Sequence, residues 1–166
     1  HTNIRKPGLG VGGYCLTKDP YFAEISKNLY FNELDLDFPI IKKAVDINNK
    51  MPLRNWKRIE NFFGNLNKKK ILLLGAAYKA DVDDTRYSPS NILYKNLKLA
   101  GAKIIVHDPY VKIWSEIGIK VENKLPSTKD IDGIIIAVSH TFYKKPYFFE
   151  WLNLEVLKIY DCVNIL

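Results

Sequence analysis

A cysteine follows closely behind a glycine-rich run near the start of the chain. The run extends from Gly8 to Gly13, Cys15 comes two residues later, and Lys18 and Asp19 follow the cysteine. Glycines allow backbone N–H groups to approach a ligand closely, and a thiol becomes nucleophilic when nearby cations stabilise its thiolate. The segment therefore predicts a nucleophilic thiol with a cation and a carboxylate beside it.

The glycine run also satisfies the pattern G-x-G-x-x-G. A dinucleotide fingerprint needs an apolar strand directly before these glycines, and the preceding residues Thr2–Lys6 are not apolar. We therefore do not expect a Rossmann nucleotide loop here. The ordinary alternative, a glycine loop with a buried structural cysteine, stays open at this point.

Length, composition and charge narrow the class of protein. The chain has 166 residues, of which 47% are hydrophobic and 26% charged, as in ordinary globular proteins. Its net charge of +7 comes mostly from scattered lysines, which favours anionic small molecules such as nucleotides over nucleic acid. No apolar run is long enough to cross a bilayer, so a membrane partner is not expected.

The cysteines and the first residue bear on cellular context. Cys15 and Cys162 lie too far apart in the sequence to suggest a disulfide framework, so we expect a reducing, cytoplasmic setting. The chain does not begin with Met and shows no signal-peptide pattern, so we expect position 1 to be an internal cut of a longer protein.

Behind the glycine run, apolar residues recur at helical spacing and predict three helical stretches. Asp19 is expected to cap the first. Asn48–Pro52 is expected to separate the second from the third, because proline lacks the N–H that a helix interior needs. The predicted stretches run from about Pro20 to Phe31, from Phe38 to Asn48 and from Leu53 to Gly64.

From Lys68 onward, short apolar runs alternate with helical patterns. This alternation predicts an α/β fold in which a parallel sheet has helices on both faces. The predicted strands are Lys70–Gly75, Lys103–His107, Ile119–Val121, Asp132–Val138 and Leu157–Tyr160. The predicted helices are Pro89–Leu99 with Ser88 as its N-cap, Trp114–Ile119, and Tyr147–Leu157, where turn and helix signals mix.

Polar residues stand at the carboxyl ends of three predicted strands. Asp108, His140 and Asp161 follow strands at the edge where parallel sheets bind ligands. The order strand, Gly75, helix, strand, Asp108 is also that of a dinucleotide fold, in which Asp108 would contact a ribose. However, the turn after Gly75 lacks the second and third glycines of that motif.

The polar loop 78–86 is longer than the usual connection between a strand and a helix. It carries Lys79 and Arg86, which predicts direct contacts with phosphate. The alternative is a solvated loop whose aspartates form ion pairs with Arg86. His140 is more often a hydrogen-bonded structural residue than a functional one in such a position, and His107 has little support as a metal ligand, so no metal site is expected.

Two motifs carry a resemblance to a known family. Residues 10–19, Gly-Val-Gly-Gly-Tyr-Cys-Leu-Thr-Lys-Asp, resemble the active-site cysteine motif of the UDP-glucose/GDP-mannose dehydrogenase family. Residues 74–90, followed by 101–110, look like its C-terminal nucleotide-sugar domain, and Asn48 also fits. The resemblance implies that residues 1–66 are the remnant of a central helical, dimerising domain. Residues 67–166 would be a Rossmann-like UDP-binding domain.

The resemblance also implies an activity, the NAD-dependent oxidation of a sugar C6 alcohol to a carboxylate. Cys15 would attack the intermediate aldehyde and form a thioester, and Asp19 would assist the water that hydrolyses it. NAD would be bound mainly by a domain that this chain lacks. The residues implied to contact the UDP-sugar are Lys6, Gly8, Gly10, Gly12, Tyr78 and Lys79, and those implied to lie near NAD are Lys18 and Arg86.

The sequence departs from the family pattern and leaves alternatives open. Val163 stands where the family has a basic residue, so one contact to the nucleotide sugar would be absent or replaced. The segments around Gly10 and His140 favour a UDP-N-acetylhexosamine, whereas Lys18–Asp19 is closer to the UDP-glucose branch. We expect the chain alone to be inactive and to form a homodimer. A non-catalytic UDP-sugar binding module and a dimerisation module remain alternatives.

Overall fold

The computed structural model describes residues 7–152 and 158–166. A helical region carries the glycine run, and a sheet region follows it. The helices are α1 (Tyr14–Lys18), α2 (Phe22–Tyr30), α3 (Pro39–Phe63), α4 (Ser90–Leu99) and α5 (Pro146–Leu152). The strands are β1 (Lys70–Leu74), β2 (Lys103–His107), β3 (Ile113–Trp114), β4 (Ile119–Lys120), β5 (Gly133–Ile136) and β6 (Lys158–Asp161).

The first helical backbone begins earlier than the sequence predicted. Helix α1 starts at Tyr14, so Cys15 lies on a helical turn, and Asp19–Tyr21 form a short 3₁₀ helix that leads into α2. Asp19 therefore does not act as the N-cap of one long helix. The proline at the second position of the 3₁₀ turn is tolerated because the first N–H groups of a helix lack partners anyway.

Helix α3 runs without a break through Pro52, where the sequence predicted an interruption. Pro52 has no N–H and so removes one helical hydrogen bond, the one that the Asn48 carbonyl would accept. The proline is buried, and Ile59 and Phe63 at the end of the helix pack into the core of the sheet region. Packing along the helix therefore outweighs the loss of one bond.

Four strands form a parallel sheet in the order β2-β1-β5-β6. In this register Leu72 of β1 lies between Ile105 of β2 and Ile134 of β5. Such parallel strands are buried on both faces, which accounts for their continuous apolar runs. The predicted Rossmann-like sheet flanked by helices is confirmed.

The two faces of the sheet have separate cores. The end of α3 and the buried side of α4 cover one face, and α5 covers the other. Successive residues of β1 alternate between these cores, with Leu73 in the first and Leu72 in the second. The first core also contains Ile59, Phe63, Leu93, Leu97 and Ile135, and the second contains Leu74, Ile134, Ile136, Phe148 and Leu152.

The predicted helix at Trp114–Ile119 is wrong. The segment is instead a small antiparallel hairpin, in which Ile113 pairs with Lys120 and Trp114 pairs with Ile119. Trp114 is fully buried and its ring lies 5.9 Å from that of Tyr94 on α4. Burial of this one side chain decides the backbone, because alternation places Trp114 inward and Ile113 outward.

Other predicted limits shift by a few residues. Helix α4 begins at Ser90, and the Ser88 hydroxyl accepts a bond from the Ser90 N–H at 3.3 Å. Helix α5 ends at Leu152, and the rest of the predicted segment up to Leu157 lies outside the described residues. No helix among the described residues combines the length and the apolar character that crossing a bilayer requires.

Candidate functional site

A cleft of about 1140 Å³ lies between the glycine run and the carboxyl ends of the strands. Residues 7–12 line one side. The other side comprises residues 77–81 after β1, 137–139 after β5 and 163–165 after β6. Strand β1 has β2 on one side and β5 on the other, so the connections to its two neighbours run in opposite directions across the sheet. Parallel sheets bind ligands at such a switch point.

Two glycines dock the run onto the sheet region. A Cβ atom on Gly12 would lie 2.6 Å from the Tyr87 carbonyl oxygen and 2.9 Å from the Cβ of Tyr78. Gly13 has a φ of 82° and donates its N–H to the Arg86 carbonyl at 3.0 Å. Only glycine permits both the close approach and the positive φ. These contacts fix the backbone that leads into Cys15.

The Asn48 side chain ties the same run to helix α3. Its Oδ1 accepts a hydrogen bond from the Val11 N–H at 2.7 Å, and its Nδ2 donates to the Val11 carbonyl at 2.8 Å. This two-way bond works like one rung of a β ladder. The resemblance pointed to Asn48, but only the structure assigns it this role of holding the cleft wall.

Cys15 lies on the first turn of α1 and its side chain is exposed. The alternative of a buried structural cysteine is therefore wrong. In α1, the residue that lines the cleft is Leu16, one position beyond the thiol. The thiol stands beside the cleft and is open to solvent among the described residues.

The cation and carboxylate after Cys15 bind each other. Lys18 Nζ lies 2.6 Å from Asp19 Oδ1, and this hydrogen bond raises the pKa of Lys18. The same ammonium group lies 4.9 Å from the centre of the Tyr14 ring and 4.5 Å from that of Phe22. Lys18 therefore rests on an aromatic surface at the outer side of α1.

Arg86 lies next to the start of α1. Its guanidinium binds the Asp84 carboxylate at 2.7 Å and lies 5.4 Å from the centre of the Tyr14 ring. The hydrogen bond from Arg86 holds the pKa of Asp84 below its ordinary value. Of the ion pairs expected within the loop, the one between Asp84 and Arg86 is present, whereas Asp81 bonds elsewhere.

Tyr78 and Lys79 both line the cleft. The Tyr78 N–H donates to the Asp84 carbonyl at 2.9 Å, which closes the loop on itself. Lys79 is exposed, and its Nζ lies 5.7 Å from the centre of the Tyr78 ring. Gly8 and Gly10 line the same cleft, whereas Lys6 lies outside the described residues.

Asp108 is a buried anchor, and the role of a ribose-binding carboxylate is wrong for it. Its Oδ2 accepts hydrogen bonds from the N–H groups of Ala76 and Ala77 at 2.8 and 3.0 Å and lies 3.1 Å from His140 Nε2. Burial opposes its charge, but the bond from His140 and the bonds from the Tyr110 and Ala77 N–H groups together lower the pKa of Asp108. With no exposed surface, it holds the turn after β1 instead of a ligand.

His140 is fully buried between two aspartates. Its Nδ1 accepts the Asp81 N–H at 2.9 Å, so the proton must reside on Nε2, which donates to Asp108. The structural role expected for this histidine is confirmed. Asp81 in turn accepts from the Thr141 N–H at 2.8 Å and from its hydroxyl at 2.6 Å.

His107 is fully buried beside Tyr143. Its Nδ1 lies 2.9 Å from the Tyr143 hydroxyl, while its Nε2 has no hydrogen-bond partner among the described residues. Burial lowers the pKa of His107 to about 4. In the described ranges 7–152 and 158–166, no three His, Cys, Asp or Glu side chains converge where a metal ion could sit.

The last strand ends in a saturated carboxylate. Asp161 accepts hydrogen bonds from four successive backbone N–H groups, those of Val163, Asn164, Ile165 and Leu166. Val163 lines the cleft, so an apolar side chain occupies this part of the wall. Lys144 also lines the cleft, and sequence reasoning missed it because nothing distinguishes it from the many other lysines.

A sequence model of the UDP-glucose/GDP-mannose dehydrogenase family, UDP binding domain, matches residues 72–166. The chain is 32% identical over 145 residues to a UDP-N-acetyl-D-mannosamine dehydrogenase of Methanococcus vannielii, which covers 86% of this chain and 31% of the relative. It is 34% identical over 123 residues to one of Campylobacter jejuni, which covers 74% of this chain and 28% of the relative.

Two solved structures share the fold. The NDP-N-acetyl-D-galactosaminuronic acid dehydrogenase of Methanosarcina mazei Go1 matches with a TM-score of 0.81 at 28% identity, over 98% of this chain and 36% of that chain. A UDP-glucose dehydrogenase of Pyrobaculum islandicum matches with a TM-score of 0.76 at 27% identity, over 95% of this chain and 35% of that chain. The chain thus spans about a third of the length of these proteins.

Proposed function

The chain belongs to the UDP-glucose/GDP-mannose dehydrogenase family, and on that premise we propose that its cleft binds a UDP-sugar in an NAD-dependent 6-dehydrogenase. One observation carries the proposal. The glycine run that leads into Cys15 and the strand-end loop that carries Tyr78 and Lys79 line one common cleft. In this proposal the thiol of Cys15, which stands beside the cleft, and the loop that carries Lys79 act on the same ligand.

Residues 67–166 form the nucleotide-binding part in this proposal, and residues 1–66 are the remnant of a central helical domain. The uracil and diphosphate lie at the strand ends in this proposal. Tyr78 stacks on the uracil or donates a hydrogen bond to the nucleotide, and Lys79 neutralises phosphate charge. Gly8, Gly10 and Gly12 let the backbone cover the sugar and phosphates. At the opposite wall of the cleft, the Asp161 carboxylate accepts bonds from the backbone N–H groups that follow it and holds the turn in place.

Cys15 is the nucleophile in the second oxidation. Its sulfur adds to the C6 aldehyde and the thiol proton passes to the aldehyde oxygen, which forms a thiohemiacetal. This becomes a thioester when it loses a hydride and the hydroxyl proton. Water then attacks the thioester carbonyl, releases the carboxylate and returns the proton to the thiol, with Asp19 placed to orient that water. An exposed thiol on the first turn of α1 suits such an attack.

NAD would accept the two hydrides, one for each oxidation. Lys18 and Arg86 flank the Tyr14 ring beside the thiol, so their charges suit a dinucleotide phosphate on this side of α1. Most of the NAD contacts would come from a domain that this chain does not contain. We therefore expect the chain alone to bind nucleotide but to show no dehydrogenase activity.

The sugar is an N-acetylhexosamine in this proposal. The relatives named above at 32% and 34% identity are both UDP-N-acetyl-D-mannosamine dehydrogenases.

The exposed Cys15 and the half-buried Cys162 are both free thiols, as suits a reducing compartment.

Dimerisation is a second role that the structure favours. Helix α2 has no buried residue, and Leu29 and Tyr30 on it are 65% and 73% exposed. An apolar pocket of about 610 Å³ lies between α1 and α3, lined by Leu16 on one side and by Ile40 and Val45 on the other. Large apolar patches of this kind mark protein interfaces. We propose that a second copy of the chain covers this face.

Nucleotide binding tests the first role. Calorimetry of the chain with UDP, uridine and UDP-N-acetylmannosamine should show binding of UDP and the UDP-sugar, and Lys79→Ala should weaken both. Absence of UDP binding at millimolar concentration would contradict the proposal. An assay of the chain with the UDP-sugar and NAD should form no NADH.

Thiol alkylation tests the role of Cys15, with Cys162 as an internal control. Cys15 is exposed, whereas burial raises the pKa of Cys162 to about 12, so iodoacetamide should modify Cys15 far faster. The UDP-sugar should slow this reaction, and UDP alone should not. If neither ligand changes the rate, the sugar does not reach the thiol.

Light scattering tests the second role. The chain should scatter as a dimer, and Ile40→Glu on α3 should produce monomers. Leu99→Glu on α4 is the matched control, because Leu99 is 86% exposed but lies on the sheet region. Monomers in the unaltered chain, or equal effects of both substitutions, would contradict dimerisation through this face.

A further inference from the structure

The cleft has two cationic side chains among its described lining residues, Lys79 and Lys144. Resting on the proposed function, we propose that Lys144 is a second cation that binds the diphosphate of the nucleotide together with Lys79. Lys144 ends the 3₁₀ helix Thr141–Lys144, which follows β5, so it reaches the cleft from a different part of the sheet edge.

Hydrogen bonds hold the two lysine-bearing segments together. Asp81, two residues after Lys79, accepts from the Thr141 N–H at 2.8 Å and from the Thr141 hydroxyl at 2.6 Å. The Asp81 N–H donates in return to His140 Nδ1 at 2.9 Å. Three bonds therefore join the loop that carries Lys79 to the first turn of the helix that carries Lys144.

This connection is anchored in the core. His140 is fully buried and its Nε2 lies 3.1 Å from the buried carboxylate of Asp108. Asp108 also accepts hydrogen bonds from the N–H groups of Ala76 and Ala77 in the turn after β1. Both lysines thus extend from backbone that is fixed relative to the sheet, which is the preorganisation that a diphosphate site needs.

The charges around the cleft leave both lysines available. No ion pair joins Lys79 or Lys144 to a carboxylate in the part of the chain that the structure describes. Asp81 is the acidic residue of the described lining, and both of its oxygens are bonded to Thr141. Burial opposes the Asp81 charge, but the two bonds from Thr141, together with Tyr110 and His140, keep the pKa of Asp81 below its ordinary value.

A diphosphate carries more than one negative charge, so a second lysine would add a charge-assisted hydrogen bond. The neighbouring Val163, Asn164 and Ile165 bring no cation to the same wall. Lys144 is therefore the side chain that can meet the second phosphate group in this cleft. Lys145, the next residue, is exposed but does not line the cleft, and it provides a matched control.

Calorimetry with UDP and uridine on the full chain tests the proposal. Lys144→Ala should weaken UDP binding about tenfold, as expected for the loss of one charge-assisted bond, and leave uridine binding unchanged. Lys144→Arg should retain most of the UDP affinity, and Lys145→Ala should retain all of it. Melting temperatures should be equal, because these side chains are exposed.

Three outcomes would overturn the role of Lys144 while the proposed function stands. In the first, UDP affinity survives Lys144→Ala while Lys79→Ala abolishes it. In the second, the Lys144→Ala and Lys145→Ala variants lose UDP affinity equally. In the third, Lys144→Ala weakens the binding of uridine and of UDP by the same factor. If the unaltered chain binds no UDP, the proposed function itself fails and the role of Lys144 fails with it.

Discussion

The helical region at the front of the chain and the sheet region are packed in different ways. Helix α2 contains no buried residue, whereas four of the five residues of β1 are buried. The sheet has helices on both faces and two apolar cores. The front joins it through Leu9 and the buried end of α3, which belong to the first core, and through close contacts at Gly12 and Gly13. The residues proposed for covalent chemistry lie in the loosely packed region.

The two sides of the cleft therefore owe their positions to different kinds of contact. The wall that we propose to bind the nucleotide derives its geometry from the buried sheet. The segment that leads into Cys15 derives its position from the close contacts of Gly12 and Gly13, from the Asn48 bonds to Val11 and from the burial of Leu9. Binding and chemistry should therefore respond differently to substitution.

The largest contrast should come from two leucines. Leu73 on β1 is fully buried and Leu29 on α2 is 65% exposed. Leu73→Ala should lower the free energy of unfolding by about 2–5 kcal/mol because it leaves a cavity. Leu29→Ala should change it by less than about 0.5 kcal/mol, as for an ordinary surface site. Urea denaturation checks both; comparable losses would show that the front is as well packed as the sheet.

Acid should destabilise the sheet region through His107. Burial lowers the pKa of His107 from 6.5 to about 4, so the unfolded chain binds a proton below pH 6.5 while the folded chain does not. The free energy of unfolding should therefore fall as pH drops through this window, by about 3 kcal/mol in total, and level off below it.

Denaturation of the unaltered chain and of His107→Gln across this pH range checks the assignment. The variant should show a flatter dependence whatever its stability at neutral pH. An equally steep dependence in both proteins would assign the effect to another group.

A substitution in the glycine run should weaken the docking of the run onto the sheet region without lowering the stability of the sheet itself. A Cβ at position 12 would lie 2.6 Å from the Tyr87 carbonyl, whereas one at position 8 would lie 3.5 Å from a Val163 methyl group, an ordinary contact. Gly12→Ala should weaken docking by about 1–3 kcal/mol through overpacking. The expected result is faster hydrogen exchange at residues 11–13 and weaker UDP binding.

Gly8→Ala is the control for docking and should leave hydrogen exchange at residues 11–13 unchanged, because its Cβ makes only an ordinary contact. Thermal unfolding of the sheet should hardly change in either variant. A large drop in melting temperature with Gly12→Ala would mean that the two regions unfold as one unit.

The smallest effect should come from the Asn48 side chain. Asn48→Ala removes both hydrogen bonds to Val11 and should cost about 1 kcal/mol, because the site is partly exposed to water. Asn49→Ala, at the exposed neighbouring position, should cost nothing measurable. Equal exchange rates at Val11 in the two variants would show that the Asn48 bonds do not hold the run.

The sequence by itself determined most of the sheet. Short continuous apolar runs such as Ile71–Leu74, ended by glycine, favour central strands buried on both faces, and their alternation with helical patterns permits few topologies. The same logic placed Asp108, His140 and Asp161 at the strand ends, and the motif around Cys15 was visible from residue types and spacing alone.

Only the tertiary structure decided how those residues are used. Burial of Trp114 turned a predicted helix into a hairpin, and packing along α3 carried that helix through Pro52. Asp108 proved to be a buried anchor because it and His140 are brought together from distant parts of the chain. Local patterns are set by propensity and periodicity, but burial and long-range hydrogen bonds depend on where the folded chain places each side chain.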